Sequence, residues 1–191
     1  HQFDWVEETL RSASSTYYDR LGREQTQDVS DELFILFSHH TSDTMNNPLP
    51  DSRRPGEVRY IGEILVGMLN RYPNVLAWVN GHTHANNVRA HTSDRPERGF
   101  WEINTASHID HPQLARCIEL VDNQDGTMSL FTTLIEADSP YRVDHGDFSP
   151  AGLASLYREL SLNDIHADEA KLGEAGDRNV ELLVAAHHPG G

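Results

Sequence analysis

The sequence has one cysteine, few basic residues and no long apolar run, and each scarcity excludes a class of protein. The lone Cys117 cannot form an internal disulfide, and the apolar residues around it predict a buried small side chain. No apolar run approaches the ~18 residues that a membrane helix needs, so we expect no membrane span. The 15 lysines and arginines face 30 aspartates and glutamates, and the net charge of −15 argues against general nucleic-acid binding.

Two features are missing from the beginning of the chain. The sequence starts at His1 without an initiator methionine, and no signal-like stretch follows. This predicts that the chain is a processed, truncated or excised piece of a longer protein. Its 191 residues leave room for one globular domain with a sizeable core, and no shift in composition forces a division.

Histidine, in contrast, is abundant. The chain has 12 histidines, nearly as many as its 15 lysines and arginines together. A neutral imidazole is the commonest metal ligand in proteins. The composition therefore predicts that some of these histidines bind metal.

The apolar pattern predicts a strand, a helix and a second strand in the first half of the chain. "LFILFS" (33–38) and "NVLAWV" (74–79) are continuous apolar runs of strand length, typical of strands covered on both faces. Between them, apolar residues from Val58 to Leu69 recur at helical spacing. The right-handed crossover of such a unit makes its strands parallel, so their carboxyl ends meet at one edge of the sheet.

Histidines follow both predicted strands at this edge. "SHH" ends the first strand and "GHTH" follows the second. Gly81 can supply the backbone bend that turns both histidines of "GHTH" toward one site. A lone histidine is more often a surface residue than a ligand. Two clusters at the edge where open α/β sheets bind ligands favour a metal site that contains His39, His82 and His84.

The remaining patterns predict a helix at each end of a β-rich middle. An amphipathic helix opens the chain, and a polar stretch with little core follows (12–32). Three β segments come after the histidines, at 99–107, 113–123 and 127–136. Asp125-Gly126 signals a hairpin between the last two, and we expect the three segments to form an antiparallel continuation.

The composition becomes acidic beyond residue 140, which divides the chain into residues 1–140 and a mainly helical extension, 141–191. Ser149 as a cap and Pro150 at the first position predict a helix there. "GDRNVELLVAA" is compatible with a short helix or a strand. "HHPGG" (187–191) reads as a disordered end.

"ILFSHH" followed by "VNGHTH" resembles the C-terminal half of calcineurin-like metallophosphoesterases, in which a strand ending in His precedes a Gly-His-x-His motif. "QFDWVEETL" is similar to the helix that this family places ahead of the first of these strands. "GFWEINTASHIDHPQLARCIEL" resembles an actinobacterial subgroup of largely uncharacterised metallophosphoesterases. The resemblance covers about residues 1–136. It implies an α/β fold, the C-terminal half of a β-sandwich whose mixed sheets are flanked by helices.

The resemblance also implies an activity and a set of site residues. The intact protein would hydrolyse a small phosphoester, with hydroxide on a two-metal centre as the nucleophile. His39 and His82 would bind one divalent ion and His84 the other, and Mn, Fe and Zn all suit such ligands. His40, beside the first ligand, and His108, at the rim after the third predicted strand, are the candidate catalytic residues.

The chain departs from the family by lacking its earlier motifs, namely Asp-x-His, Gly-Asp-x-x-Asp and Gly-Asn-His-Asp/Glu. Those motifs supply the other ligands, including the carboxylate that bridges the metals. Three imidazoles bring no negative charge to offset the repulsion between two cations. We therefore expect that the missing N-terminal half of the domain is a partner of this chain, and that the chain alone is inactive. We also expect its first strands to expose apolar faces or edges.

Two other functions remain open at this point. A non-catalytic domain could use the same histidines for a single structural or regulatory zinc. A metal-dependent amidohydrolase also uses His-x-His, but early and on the first strand of a barrel, and the single strand–helix–strand unit argues against a barrel. Nearby polar residues carry less weight: Arg53 and Arg54 could grip a phosphate but are typical solvated loop charges, and Ser107 and Asp110 could line the rim.

Overall fold

A computed structural model describes residues 2–93 and 98–185 of the chain. This part contains three α-helices, α1 (Gln2–Ser12), α2 (Gly62–Leu69) and α3 (Pro150–Leu162). The strands are β1 (Thr16–Tyr18), β2 (Glu24–Thr26), β3 (Phe34–Phe37), β4 (Val75–Asn80), β5 (Asn87–Thr92), β6 (Gly99–Asn104), β7 (Ala115–Asp122), β8 (Thr127–Ile135) and β9 (Val180–Ala185). They form three sheets, so the fold is mixed α/β, as expected.

The largest sheet has the strand order β3-β4-β6-β5. β3 pairs with β4 in parallel, which confirms the predicted strand–helix–strand unit. Its helix α2 begins at Gly62, four residues later than the apolar stripe that starts at Val58. A Cβ atom at Gly62 would collide with the backbone of Ser42, so this close approach requires glycine.

The expected antiparallel continuation is wrong for its first segment. β6 joins β4 in parallel, and its antiparallel neighbour is β5, a strand that was not predicted. β5 lies at the edge of the sheet and leaves half or more of its residues exposed, so its sequence "NVRAHT" lacks the apolar alternation of a buried strand.

The other two predicted β segments form a separate sheet of order β7-β8-β9. β7 and β8 are the predicted hairpin, and Gly126 adopts φ +88 in its turn. The segment that was compatible with a helix or a strand is strand β9, in which Leu182 and Val184 alternate into the core. Cys117 is exposed rather than buried, because it points away from the core on the edge strand β7.

The polar stretch after α1 contains a third sheet, the hairpin of β1 and β2, which was not predicted. Its contribution to the core is small, as the composition indicated, but Tyr18 is buried. The predicted opening helix is confirmed as α1, whose Leu10 is 1% exposed.

Two apolar clusters cover the two faces of the large sheet. On one face, residues of α1, α2 and the strands pack together: Leu10, Met68, Leu69, Tyr72, Val75, Trp78 and Phe100. On the other face, the large sheet packs against β8 and β9 through Leu76, Ala77, Ile103, Met128, Leu130, Leu182 and Val184. β4 contributes to both clusters, so it is held rigidly between the two layers.

β3 is only partly covered, although its apolar run predicted burial on both faces. It is an edge strand of the large sheet, and the side chain of Phe37 is 75% exposed. Leu33, just before the strand, is 42% exposed. An exposed apolar edge of this kind is what we expected of the first strands of this chain.

The C-terminal extension begins with the predicted helix. Ser149 caps α3 by accepting a hydrogen bond from the Gly152 amide, and Pro150 is its first residue. Farther along, β9 returns to pair with β8, so residues 180–185 share the core with residues 1–140. The predicted disordered end, 187–191, lies outside the described residues. In the described part of the chain, every helix is too short or too polar to cross a lipid bilayer.

Arg116, on β7, connects the two larger sheets. Its guanidinium donates hydrogen bonds to the hydroxyls of Thr105 and Thr132, to the Asn86 side chain and to two backbone carbonyls in the segment before β9. Burial lowers the pKa of Arg116 to about 10, and the charge of Asp177 opposes this shift. The planar fork of arginine therefore satisfies groups on several elements at once.

Replacement of Arg116 with lysine should destabilise the fold. A lysine retains the charge but cannot reach five acceptors, so we expect the free energy of unfolding to fall by about 2–3 kcal/mol in urea denaturation. The matched control is Arg53→Lys in the exposed loop before α2, which should change the value by less than about 0.5 kcal/mol. Equal stabilities of the two variants would contradict this role for Arg116.

Candidate functional site

Three histidines meet at the carboxyl edge of β3 and β4. His39 Nε2 and His82 Nδ1 are 3.0 Å apart, and their rings lie edge to face with centroids 4.9 Å apart. The ring of His40 packs 4.1 Å from that of His82 and 5.1 Å from that of His39, between centroids. All three side chains are exposed, so the cluster is open to a ligand from solvent.

The backbone of the "GHTH" loop is bent at the histidines themselves. His82 has φ 65 and His84 has φ 55, in the left-handed region that residues other than glycine rarely adopt. Gly81 does not take positive φ, so the expectation that it supplies the bend is wrong. Its amide donates to the carbonyl of His39, which extends the contact between the two strands by one bond. Strained residues of this kind concentrate at functional sites.

His84 faces a different partner. Its Nδ1 donates a 2.8 Å hydrogen bond to Oδ2 of Asp110, and Lys171 Nζ lies 3.1 Å from the same oxygen. Burial opposes ionisation of Asp110, but the bonds from His84 and Lys171 outweigh it and lower the pKa of Asp110. A carboxylate on Nδ1 leaves Nε2 of His84 with its lone pair free, which is how carboxylates orient metal-binding histidines.

The surroundings of His82 favour its neutral imidazole form. Partial desolvation, followed by the charges of the three neighbouring histidines, lowers the pKa of His82. His84 is one of these neighbours, so it lies within electrostatic range of the cluster. Neutral imidazole is the form that binds metal.

The geometry of the His39 and His82 pair fits one metal ion. Two nitrogens bound at the ~2.0–2.1 Å typical of zinc lie about 3 Å apart when they subtend roughly 90–100° at the ion. The observed 3.0 Å between Nε2 and Nδ1 matches this separation. Within residues 2–93 and 98–185, however, no group of three or more His, Cys, Asp or Glu side chains is arranged to hold a metal ion. The described chain offers two nitrogens of a site and not a closed set of ligands.

The other candidates lie on the loops before α2 and after β6. His108 is exposed in the loop after β6, the same loop that carries Asp110. Ser107 uses its hydroxyl to accept from the Ile109 amide, a local turn bond. Arg54 forms ion pairs with Asp51 and Glu57, as a solvated loop charge does. A phosphate grip by Arg54 is therefore not supported by its contacts.

Two residues of β6 that the sequence did not single out hold the histidine loops in place. The buried carboxylate of Glu102 accepts from Ser42, Asn80 and His91. Asn104 donates to the Thr83 hydroxyl and to the carbonyl of Ala85, on both sides of His84. A glutamate inside the otherwise apolar "GFWEIN" was the available signal, because a charge in a buried strand must be paired.

The comparisons with known proteins add no assignment. No protein-family model matches the chain, and no curated protein matches its sequence. The metallophosphoesterase family therefore stays a prediction from the two histidine motifs.

The pH dependence of stability should report on Glu102. Burial would raise its pKa, but hydrogen bonds from His91, Ser42 and Asn80 outweigh burial and lower the pKa from 4.5 to about 2. A lowered carboxylate pKa stabilises the fold above the unfolded value, and this contribution is lost as the pH falls toward the folded value. The shift corresponds to about 3 kcal/mol at neutral pH.

In Glu102→Gln this contribution is absent at every pH. We expect the variant to be less stable than wild type at neutral pH, with the gap narrowing as urea unfolding is repeated from about pH 5 to about pH 3. Glu119→Gln on the exposed side of β7 is the matched control and should follow the wild-type curve. A gap that stays constant with pH would contradict the ionised state of Glu102.

Proposed function

We propose that the histidine cluster is the metal-binding corner of a phosphoester hydrolase, completed by carboxylates that lie outside this chain. The observation that carries the proposal is the 3.0 Å separation of His39 Nε2 and His82 Nδ1 at the carboxyl edge of two parallel strands. The strands deliver the two ligands from positions 43 residues apart in sequence. This edge is where parallel sheets place their ligand sites.

Each residue has a role in this proposal. His39 and His82 share one ion, and His84, oriented by Asp110, offers Nε2 to a second. The ring of His40 packs against that of His82 at an angle of 47°, and its exposed side chain can donate to a phosphoryl oxygen. His108 lies on the loop of Asp110 and would line the rim. A divalent metal held here supplies Lewis-acid activation of the phosphoester and of water.

Within residues 2–93 and 98–185, no carboxylate is grouped with His39 and His82 in an arrangement that could hold a metal ion, which favours a site shared with other residues. Asp110 uses Oδ2 for its bonds to His84 and Lys171, and its Oδ1 is buried without a hydrogen-bond partner among the described residues. The carboxylate of Glu102 is buried and bonded to Ser42, Asn80 and His91. Neutral imidazoles alone leave the charge of two cations unbalanced. The exposed apolar edge of β3 agrees with this proposal, because further strands there would cover Phe37.

Metal binding by the 191-residue chain is the first test. Calorimetric titration should show one Zn²⁺ bound weakly to wild type, and His82→Ala should reduce the affinity by about tenfold or more because half of the nitrogen pair is removed. His145→Ala, at an exposed position outside the cluster, is the control and should bind as wild type does. Equal affinity of the His82→Ala chain would remove the metal site.

Hydrolysis by the full-length product of the gene is the second test. With added Mn²⁺ it should cleave an aryl phosphate ester, and the double variant His82→Ala with His84→Ala should lose roughly 100-fold or more of the rate. The 191-residue chain by itself should show no turnover. Rapid metal-dependent hydrolysis by this chain would show that it contains metal ligands in addition to His39, His82 and His84. A full-length protein that binds zinc, gains stability from it and hydrolyses no phosphoester would support the structural or regulatory zinc instead.

A further inference from the structure

Glu102 is a charged residue in the middle of the large sheet. Its side chain is 5% exposed, and its carboxylate accepts four hydrogen bonds. The donors are the Ser42 amide and hydroxyl, both at 2.7 Å, the Asn80 amide group at 2.8 Å and His91 Nε2 at 2.7 Å. Buried charges of this kind are retained only where several donors compensate for desolvation.

Two of these donors belong to the histidine-bearing segments. Ser42 lies in the loop after β3, two residues beyond His40. Asn80 ends β4, two residues before His82. The carboxylate thus joins the loop after the first strand to the end of the second strand.

Hydrogen bonds around Ser42 and Asn80 connect Glu102 to the segments that carry the histidines. Thr41 and Thr44 bond to each other through backbone and hydroxyl groups, which closes the loop around Ser42. The Thr44 hydroxyl is also 3.3 Å from His40 Nδ1. On the other side, the Oδ1 of Asn80 is buried without a hydrogen-bond partner among the described residues, so the bond to Glu102 is what orients this amide.

A hydrogen bond from His91 holds the Glu102 carboxylate in position. His91, on β5, donates to Oε2 while its ring stacks on the buried Phe100 at 4.9 Å between centroids. The bond between His91 and Glu102 therefore restrains both side chains across the antiparallel pair of β5 and β6. The lowered pKa of Glu102 shows that the carboxylate stays ionised at neutral pH, the form that accepts all four bonds.

We propose that Glu102 is a positioning residue that sets the separation of His39 and His82 by bracing the two loops that carry them. Its importance for metal binding rests on the proposed function, whereas its effect on the imidazoles does not. Glu102 touches neither histidine, so it acts through Ser42 and Asn80. Partners of this kind outside the ligand set typically change metal affinity by about 10–100-fold.

The test compares Glu102→Gln with Glu119→Gln in the 191-residue chain. Glutamine has the same shape as glutamate, but it places an NH₂ group against donors that need an acceptor. We therefore expect hydrogen bonds from Ser42, Asn80 or His91 to be lost in this variant. The first readout is the long-range ¹H–¹⁵N spectrum of the imidazoles without metal at about pH 8. In wild type the 3.0 Å contact between His39 Nε2 and His82 Nδ1 requires a proton on one of the two nitrogens and none on the other, so the tautomers of the two rings are coupled. In Glu102→Gln the nitrogen shifts of both rings should move toward the tautomer average of free imidazole, and in Glu119→Gln they should not.

The second readout is Zn²⁺ affinity, which should weaken about 10–100-fold in Glu102→Gln and stay unchanged in Glu119→Gln. Leu182→Ala controls for general destabilisation, because it opens a cavity between the sheets away from the loops and costs about 2–5 kcal/mol. Its imidazole spectrum should remain that of wild type. Ser42→Ala removes one of the four bonds and should shift the imidazole signals in the same direction by a smaller amount, which keeps the test valid if Glu102→Gln does not fold.

Unchanged imidazole signals in both Glu102→Gln and Ser42→Ala would overturn the proposal, as would the same changes in Leu182→Ala. Failure of the wild-type chain to bind Zn²⁺ would count against the proposed function and leave the imidazole spectra to decide the role of Glu102. Altered spectra in Glu102→Gln with undiminished Zn²⁺ affinity would support the positioning of the imidazoles by Glu102 and would overturn its importance for metal binding.

Discussion

The parallel pairing of β3 with β4 is the constraint on which the candidate site depends. It aligns Phe37 with Val79, and the bond from the Gly81 amide to the His39 carbonyl continues the alignment past the strand ends. Two segments far apart in sequence therefore leave the sheet side by side and in the same direction. The meeting of His39 and His82 follows from this register, and a shift of one residue would turn one of the two away.

The rigidity of that register comes from the layers around β4. Val75 and Trp78 pack in the cluster under α1 and α2, and Leu76 and Ala77 pack in the cluster against β8 and β9. A strand buried on both faces cannot slide without opening cavities on both sides, which costs several kcal/mol. The edge strand β3 lacks this support on its outer side, and the loops that follow it are held instead by the buried carboxylate of Glu102.

The two carboxylates of the described site, Glu102 and Asp110, each accept hydrogen bonds that orient neighbouring groups. Glu102 binds the two loops and His91, and Asp110 binds His84 and Lys171. In the part of the chain that the structure describes, the acidic composition thus provides no carboxylate grouped with His39 and His82 to hold a metal ion. A cation at His39 and His82 would meet neutral nitrogens first, which is why the charge balance of the proposed centre must come from other residues.

The sequence alone determined the elements whose signals are local: the helices α1 and α3, the apolar strands β3 and β4, and the hairpin at Gly126. It also determined that His39 and His82 meet, because parallel strands joined by a helix follow a general rule of handedness. Only the tertiary structure decided that β6 runs parallel to β4 and that the polar strand β5 pairs with the outer edge of β6. It also decided that Cys117 is exposed. It alone revealed Glu102 as a brace, since its partners Ser42, Asn80 and His91 lie 60, 22 and 11 residues away. Hydrogen bonds across such separations leave no periodic trace in a sequence, whereas burial and turns are recorded in neighbouring residues.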